Sequence, residues 1–359
     1  MLLNLHLLRA LAALAVVYFH ATSPAGLNLT ANIGSHGVDV FFVISGFIMA
    51  RVGAGSPERF LLRRIVRIVP FYWTATLAVF AAAVLAPHML RSTRPDVIQL
   101  LCSLFFIPRD TSYAGIVPTL VLGWSLNYEM YFYVVFAAAL AMAPRSAPIV
   151  CASAIAIVFL VIRASGIEHP TVTFYGRPIV LEFVFGICAF YAFASAERHL
   201  DWFAHRPGIR AALWIAAILA ALSIAIEEAH GAFGLPRIVA AGVPALALVL
   251  SALLLERVYG VRVTSGVVFL VGESSYVLYL IHPYVLYGIL RAVLPHHDHL
   301  SSMTASALVV ALMAIAAAVA VAIHIWFEKP LMTALRRRLP ASSASEAAGA
   351  RTAMTTAPA

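Results

Sequence analysis

Charge is the scarcest commodity in this sequence. Only 11% of its 359 residues are Asp, Glu, Lys or Arg, where an average soluble domain carries about a quarter. A chain this poor in charge cannot clothe a water-soluble globule of its size, and the ordinary soluble enzyme classes are excluded. Lysine is reduced to Lys329, so the net charge of +8 rests on arginine. Those arginines fall mainly between apolar runs instead of along one basic face, so the charge marks membrane topology and no nucleic-acid partner is expected. The three cysteines, Cys102, Cys151 and Cys188, lie in apolar surroundings without metal-ligand spacing; they read as packed thiols, and no metal is expected. The first apolar run lacks a basic leader and is followed by no A-x-A site, so it is expected to persist as a helix. Strict alternation of apolar and polar residues is also missing, which removes a transmembrane β-barrel.

What the chain has in abundance is long apolar runs, 62% of its residues being hydrophobic. Only helices and closed barrels satisfy their backbone in lipid, so the reading is an all-α, polytopic integral membrane protein. Ten spans are expected, at about 5–22, 36–52, 68–87, 122–143, 147–164, 176–195, 209–227, 236–256, 267–292 and 303–327. Residues 96–107 are apolar but short, which suits an interfacial or re-entrant segment. With the N-terminus inside, sixteen of the basic residues fall in inner segments and seven in outer segments or helix ends, with Arg9 left out of the count. This bias favours both termini in the cytoplasm. Residues 1–330 form one membrane domain, and 331–359, rich in Ala, Ser, Pro and Thr, read as a disordered cytoplasmic tail.

Ionisable residues inside such spans are costly and mark sites. Arg9 and His20 share the first span, about 16 Å apart along the axis at 1.5 Å per residue. Asp39 opens the second span, which runs back, so it can lie level with His20. A carboxylate beside an imidazole would orient it as a general base; the alternative is a headgroup-level histidine and a helix-capping aspartate. Arg63, Arg64 and Arg67 precede the third span. They suit either phosphate recognition or contact with anionic lipid. Glu182, in RPIVLEFVFG, should face the bundle, with Arg177 as a partner. His282 sits in mid-span before Pro283, which should free a carbonyl. The run 296–299, HHDH, reads as a solvated loop, and the Asn28-Leu29-Thr30 sequon carries no weight if the source is bacterial.

Arg9 with His20, then GVDVFFVISGF (37–47), RRIVRIVPFYW (63–73) and WSLNYEMYFY (124–133), with SSYVLYLIHPYVLY (274–287) further on, resemble the successive motifs of the acyltransferase-3 family. The resemblance spans about residues 1–330 and is strongest to short forms of the succinoglycan-type exopolysaccharide O-acetyltransferases. It implies an integral enzyme of the bacterial cytoplasmic membrane that uses acyl-CoA, acetyl-CoA by subfamily, as co-substrate without a permanently bound cofactor. It also implies a saccharide or lipid-linked saccharide acceptor, with polysaccharide-synthesis machinery as a further partner. Carried over by motif, His20 is the essential histidine and Arg9 the first-helix arginine. Asp39 and Ser45 fall in the second-helix motif, and Arg63, Arg64 and Arg67 form the donor-side cluster. Glu129 is the acid after Trp-Ser-Leu; Tyr128 precedes it where the family often has a second acid. Tyr131 and Ser45 are candidate oxyanion donors, and Glu182 and His282 candidate chamber residues. His20 would act as general base or as transient acyl carrier. A transporter or flippase for a polar lipid-linked substrate, or a non-catalytic scaffold of a polysaccharide-synthesis complex, would also need polar residues inside the bundle.

Overall fold

A computed structural model describes residues 2–23, 33–55, 60–87, 90, 93–111, 113–231, 234–293 and 301–338. The chain opens with α1 (Leu3–Thr22), α2 (Gly37–Gly55), α3 (Phe60–Leu85) and the short α4 (Val97–Leu104). A two-residue hairpin, β1 (Asp110–Thr111) with β2 (Gly115–Ile116), follows. Then come α5 (Trp124–Met142), α6 (Ala147–Ser165), the short α7 (Pro170–Tyr175), α8 (Leu181–Arg198), the short α9 (Leu200–Ala204) and α10 (Pro207–His230). The last third holds α11 (Val243–Tyr259), α12 (Gly266–Glu273), α13 (Ser275–Val293), α14 (Ser302–Ile323) and α15 (Lys329–Arg337).

The all-α, multi-pass architecture is as the sequence implies. Among the described residues, seven helices are long and apolar enough to cross a membrane, or eight if α12 and α13 form one span bent by 74° at Ser274. The expected count of ten is therefore not reached on length and apolarity. The other two expected spans are present as the 19-residue helices α2 and α5. The expected tail also begins too early: residues 331–337 continue as α15, and 339–359 lie outside the described residues, as do Asn28 and the run 296–299. Of the three thiols only Cys151 is buried; Cys188 is exposed.

Carboxylates from distant helices hold the starts of α1 and α2, and this places their side chains. Glu256 of α11 accepts the Leu3 and Asn4 amides, each at 2.7 Å. Glu228 of α10 accepts the Gly34 and His36 amides at 2.6 Å and the Ser35 hydroxyl at 2.8 Å. Each puts negative charge at a helix start, where unpaired N–H groups and the helix dipole favour it.

Helices α2 and α8 cross backbone to backbone at two glycines. A Cβ on Gly46 would lie 2.2 Å from the Phe183 carbonyl oxygen, and one on Gly186 would lie 2.2 Å from that of Val43. Small residues permit such an approach where helices pack without a hydrophobic drive between them. Gly46→Leu must force α2 and α8 apart. We expect a loss of about 1–3 kcal/mol or more, read as a lower thermal midpoint in detergent; an unchanged midpoint would show that the crossing is not tight.

Helix α4 is amphipathic in the reverse of the soluble sense. Gln99 and Ser103 are buried while Val97, Ile98 and Leu101 are exposed. The Gln99 amide donates to the Val117 carbonyl, and the Ser103 hydroxyl donates to that of Gln99 at 2.6 Å. The segment thus satisfies its polar groups inward and offers apolar side chains outward. Asp96 caps it by accepting the Gln99 amide at 2.9 Å, and also holds Arg109 at 2.8 Å. The Arg109 guanidinium keeps the Asp96 carboxyl below the ordinary aspartate range.

Candidate active site

A cavity of about 90 Å³ opens between α1, α2, α3, α5 and α13. Arg9, Arg64 and Arg67 line it together with Ser45, Glu129 and Tyr133. Residues that stand more than a hundred positions apart in the chain meet there. The shared face follows from helical spacing: Arg64 and Arg67 are i and i+3, and Glu129 and Tyr133 are i and i+4.

Each polar group in the cavity has a defined seat. The Arg9 Nε donates to the Ser275 hydroxyl at 3.2 Å, and that hydroxyl donates to the Gly272 carbonyl at 2.8 Å. Ser275 sits just after the 74° bend, so the break between α12 and α13 is what delivers it. Close contact fixes the bend: a Cβ on Gly272 would lie 2.3 Å from the His6 carbonyl oxygen. Ser45 donates to one Glu129 oxygen at 3.0 Å, and the Tyr133 hydroxyl donates to the same oxygen. Arg64 is buried with its guanidinium 5.7 Å from the Phe60 ring centre, and its Nε has no hydrogen-bond partner among the described residues. Three guanidiniums against one carboxylate make a site for an anion, and guanidinium forks match phosphate oxygens.

His20 is reached from this cavity through α13. Tyr279 lines the cavity and accepts a 2.9 Å hydrogen bond from the hydroxyl of Ser125, which lines it too. Its ring centre lies 6.4 Å from that of His282, and the His282 ring lies 4.9 Å from that of His20. His282 Nε2 is 3.2 Å from His20 Nδ1.

This pairing corrects one expectation. Asp39 does not serve as the partner of His20; it is bound elsewhere. Arg237 holds its carboxylate with two bonds, Nε to Oδ1 at 3.0 Å and Nη2 to Oδ2 at 2.6 Å. His36 Nδ1 adds a third at 3.2 Å. Depth along the helices places His20 and Asp39 level, but it carries no information on which way each side chain turns.

Three further expected residues sit apart from the cavity lining. Tyr131 packs its ring on Tyr175, at 4.9 Å between centres; it is two residues from Glu129 and so on another face of α5. Glu182 is fully buried beside Asp39, and both its oxygens lack hydrogen-bond partners among the described residues. Arg177, its expected partner, instead stands 5.6 Å over the Phe174 ring. Arg63 is half-buried and stands apart from the cavity lining, to which Arg64 and Arg67 contribute.

Sequence reasoning passed over Arg237, His36 and Tyr133. Arg237 was available as an arginine abutting an apolar run, LPRIVAAG, yet counted only toward topology. A π-helical turn at Ile238–Gly242 follows it and shifts the helical phase there, a feature often found at functional positions. A second such turn, His324–Glu328, contains a buried pair in which His324 Nδ1 donates to Glu328 at 2.6 Å. The i, i+4 spacing of that pair is its sequence signal.

A bundle of long apolar helices around an arginine-lined cavity is the build of a multi-pass membrane protein. Residues 2–326 match the acyltransferase domain model of the acyltransferase-3 family, and the chain belongs to that family of membrane acyltransferases. It is 35% identical to the exopolysaccharide production protein ExoZ of Rhizobium meliloti over 92% of this chain and 99% of ExoZ. It is 29% identical to the acyltransferase MdmB of Streptomyces mycarofaciens over 95% of this chain and 94% of MdmB. A shorter match, 31% identity over 36% of this chain and 23% of the relative, is to the peptidoglycan O-acetyltransferase OatA of Listeria monocytogenes. No solved structure matches the chain.

Proposed function

We propose that this enzyme carries a small acyl group, acetyl in the simplest case, from acyl-CoA to a hydroxyl of an exopolysaccharide or other cell-surface glycan precursor. The observation that carries the reading is the convergence of Arg9, Arg64 and Arg67 on one cavity, since a CoA thioester is a polyanion with a thin apolar arm. The glycan acceptor is supported by the likeness to ExoZ along nearly its whole length and to OatA over part of it. The arginine bias supports the bacterial cytoplasmic membrane as location, with both termini inside.

In this reading the phosphates dock on the arginines, and the pantetheine arm extends along the bundle toward His20. The acceptor hydroxyl gives its proton to His20 as its oxygen attacks the thioester carbonyl. The C–S bond breaks, and the CoA thiolate takes the proton back. In the alternative order His20 Nε2 attacks the thioester first, the C–S bond breaks and CoA leaves as thiolate; the hydroxyl then attacks the acyl-imidazole, the C–N bond breaks, and the hydroxyl proton passes to the thiolate.

The test is release of free CoA by purified protein in proteoliposomes, with acetyl-CoA and an oligosaccharide acceptor. Acceptor-dependent release supports the proposal; movement of the saccharide without CoA release overturns it in favour of a flippase. Arg67→Gln removes one charged contact to the donor, worth about 1.5–3 kcal/mol. We expect the KM for acetyl-CoA to rise about 10- to 100-fold with little change in kcat, and an unchanged KM would remove the cavity as donor site.

A further inference from the structure

We propose that His282 is a positioning residue for His20, a neutral imidazole occupying the place a carboxylate fills in a Ser–His–Asp triad. The inference rests on the reading above, in which His20 carries the chemistry. Its basis is the direction of four ring nitrogens.

A carbonyl oxygen can only accept. His282 Nδ1 lies 3.0 Å from the Leu278 carbonyl, so its proton is on Nδ1. The neutral ring then presents a bare lone pair at Nε2. That lone pair is 3.2 Å from His20 Nδ1. His20 Nδ1 also lies 2.9 Å from the Val16 carbonyl, so it too bears the proton, shared between Val16 and His282. Two ring nitrogens carry no proton, and among the described residues only one of their lone pairs is unengaged: that of His20 Nε2. Both orders of reaction need that lone pair, to take the hydroxyl proton or to attack the thioester.

Burial makes the arrangement consequential. His282 is fully buried, between Leu278 and the turn at Pro283, and cannot swing to find water. When His20 gains a proton at Nε2, its Nδ1–H becomes a stronger donor, and the acceptor already in place is His282 Nε2. The positive charge is then met by an aimed lone pair within the protein instead of by solvent. The Val16 bond lies within α1 and holds the ring to its own helix. The His282 bond crosses from α13 and ties the same ring to the helix that also carries Ser275 and Tyr279 to the cavity.

The experiment compares two substitutions of similar bulk. His282→Gln keeps a side-chain carbonyl able to accept from His20 Nδ1; His282→Leu keeps volume and removes the acceptor. The expected result for H282L is a fall in kcat of at least tenfold, and up to the ~10⁴-fold seen when a catalytic histidine loses its orienting partner. Its KM for acetyl-CoA should stay unchanged. H282Q should regain most of the rate. Nitrogen-15 NMR of histidine-labelled protein in lipid should show a through-hydrogen-bond coupling between His20 Nδ1 and His282 Nε2 that is lost in H282Q. That readout and the thermal midpoints of both variants separate orientation from folding. Equal kcat in H282L and H282Q, or absence of the coupling in the parent protein, overturns the inference. Full activity of His20→Ala overturns instead the reading of the reaction on which it stands.

Discussion

His20→Ala protein should insert and fold as the parent does and lose acyl transfer by about 10²–10⁴-fold, the usual contribution of a positioned acid–base group. The side chain is half-buried at the end of α1. Its two Nδ1 partners are not charged: one is a backbone carbonyl of its own helix and the other a neutral imidazole. Deleting the ring therefore leaves no buried ion unpaired, only the neutral His282 Nε2 acceptor, and the loss of stability in detergent should not exceed about 1–3 kcal/mol. Binding should survive as well, because the arginines proposed to hold the donor lie toward the other end of α1, Arg9 being eleven residues before His20. The expected signature is a low kcat with an unchanged KM for acetyl-CoA. Retention of full transfer in proteoliposomes would remove His20 from the chemistry whatever its surroundings.

The residues of the cavity were legible in the sequence because helical spacing and motif order both pointed at them. Arg9, Arg64 and Arg67, expected on the donor side, and Ser45 and Glu129, expected in the chamber, all line one cavity. Tyr133 could have been added from its i+4 relation to Glu129, and Tyr131 removed by the same argument. The partner of His20 was not legible. Reading a helix by its apolar run yields depth, and depth alone paired His20 with Asp39. Rotation about the helix axis decides the partner, and that is fixed by distant contacts: Glu256 at the start of α1, Glu228 before α2 and the Gly46–Gly186 crossing. Likewise the span expected over 267–292 gave no sign of a 74° bend at Ser274, although it is the bend that brings Ser275 to Arg9. The helices are a local property of composition; the phase of each is a property of the assembled bundle.

Arg237→Leu should be the most destabilising single change in the polar interior. Asp39 is fully buried, and two of its three hydrogen bonds come from this one guanidinium. Glu182, also fully buried, stands beside it. Without Arg237, two carboxyl groups share a site in which His36 is the remaining hydrogen-bond donor to Asp39. Breaking a buried pair by removing one partner costs about 3–5 kcal/mol, because the other is left uncompensated. The Arg237 side chain is 40% exposed, so water softens the loss and the lower end of that range is the expectation. A large drop in the thermal midpoint in detergent is the measurement. The companion variant is Arg237→Leu with Asp39→Asn. It removes the orphaned charge along with its partner and should recover a substantial part of the loss, a coupling that additive effects cannot give. If the double variant is as unstable as the sum of the two singles, the pair is not coupled and Arg237 stabilises the protein by packing alone. Coupling, by contrast, would mean that the link between α2 and the π-turn before α11 is electrostatic. Ser45 and its bond to Glu129 hang from that same helix α2, so the Asp39–Arg237 pair and the arginine-lined cavity would then be braced by one element.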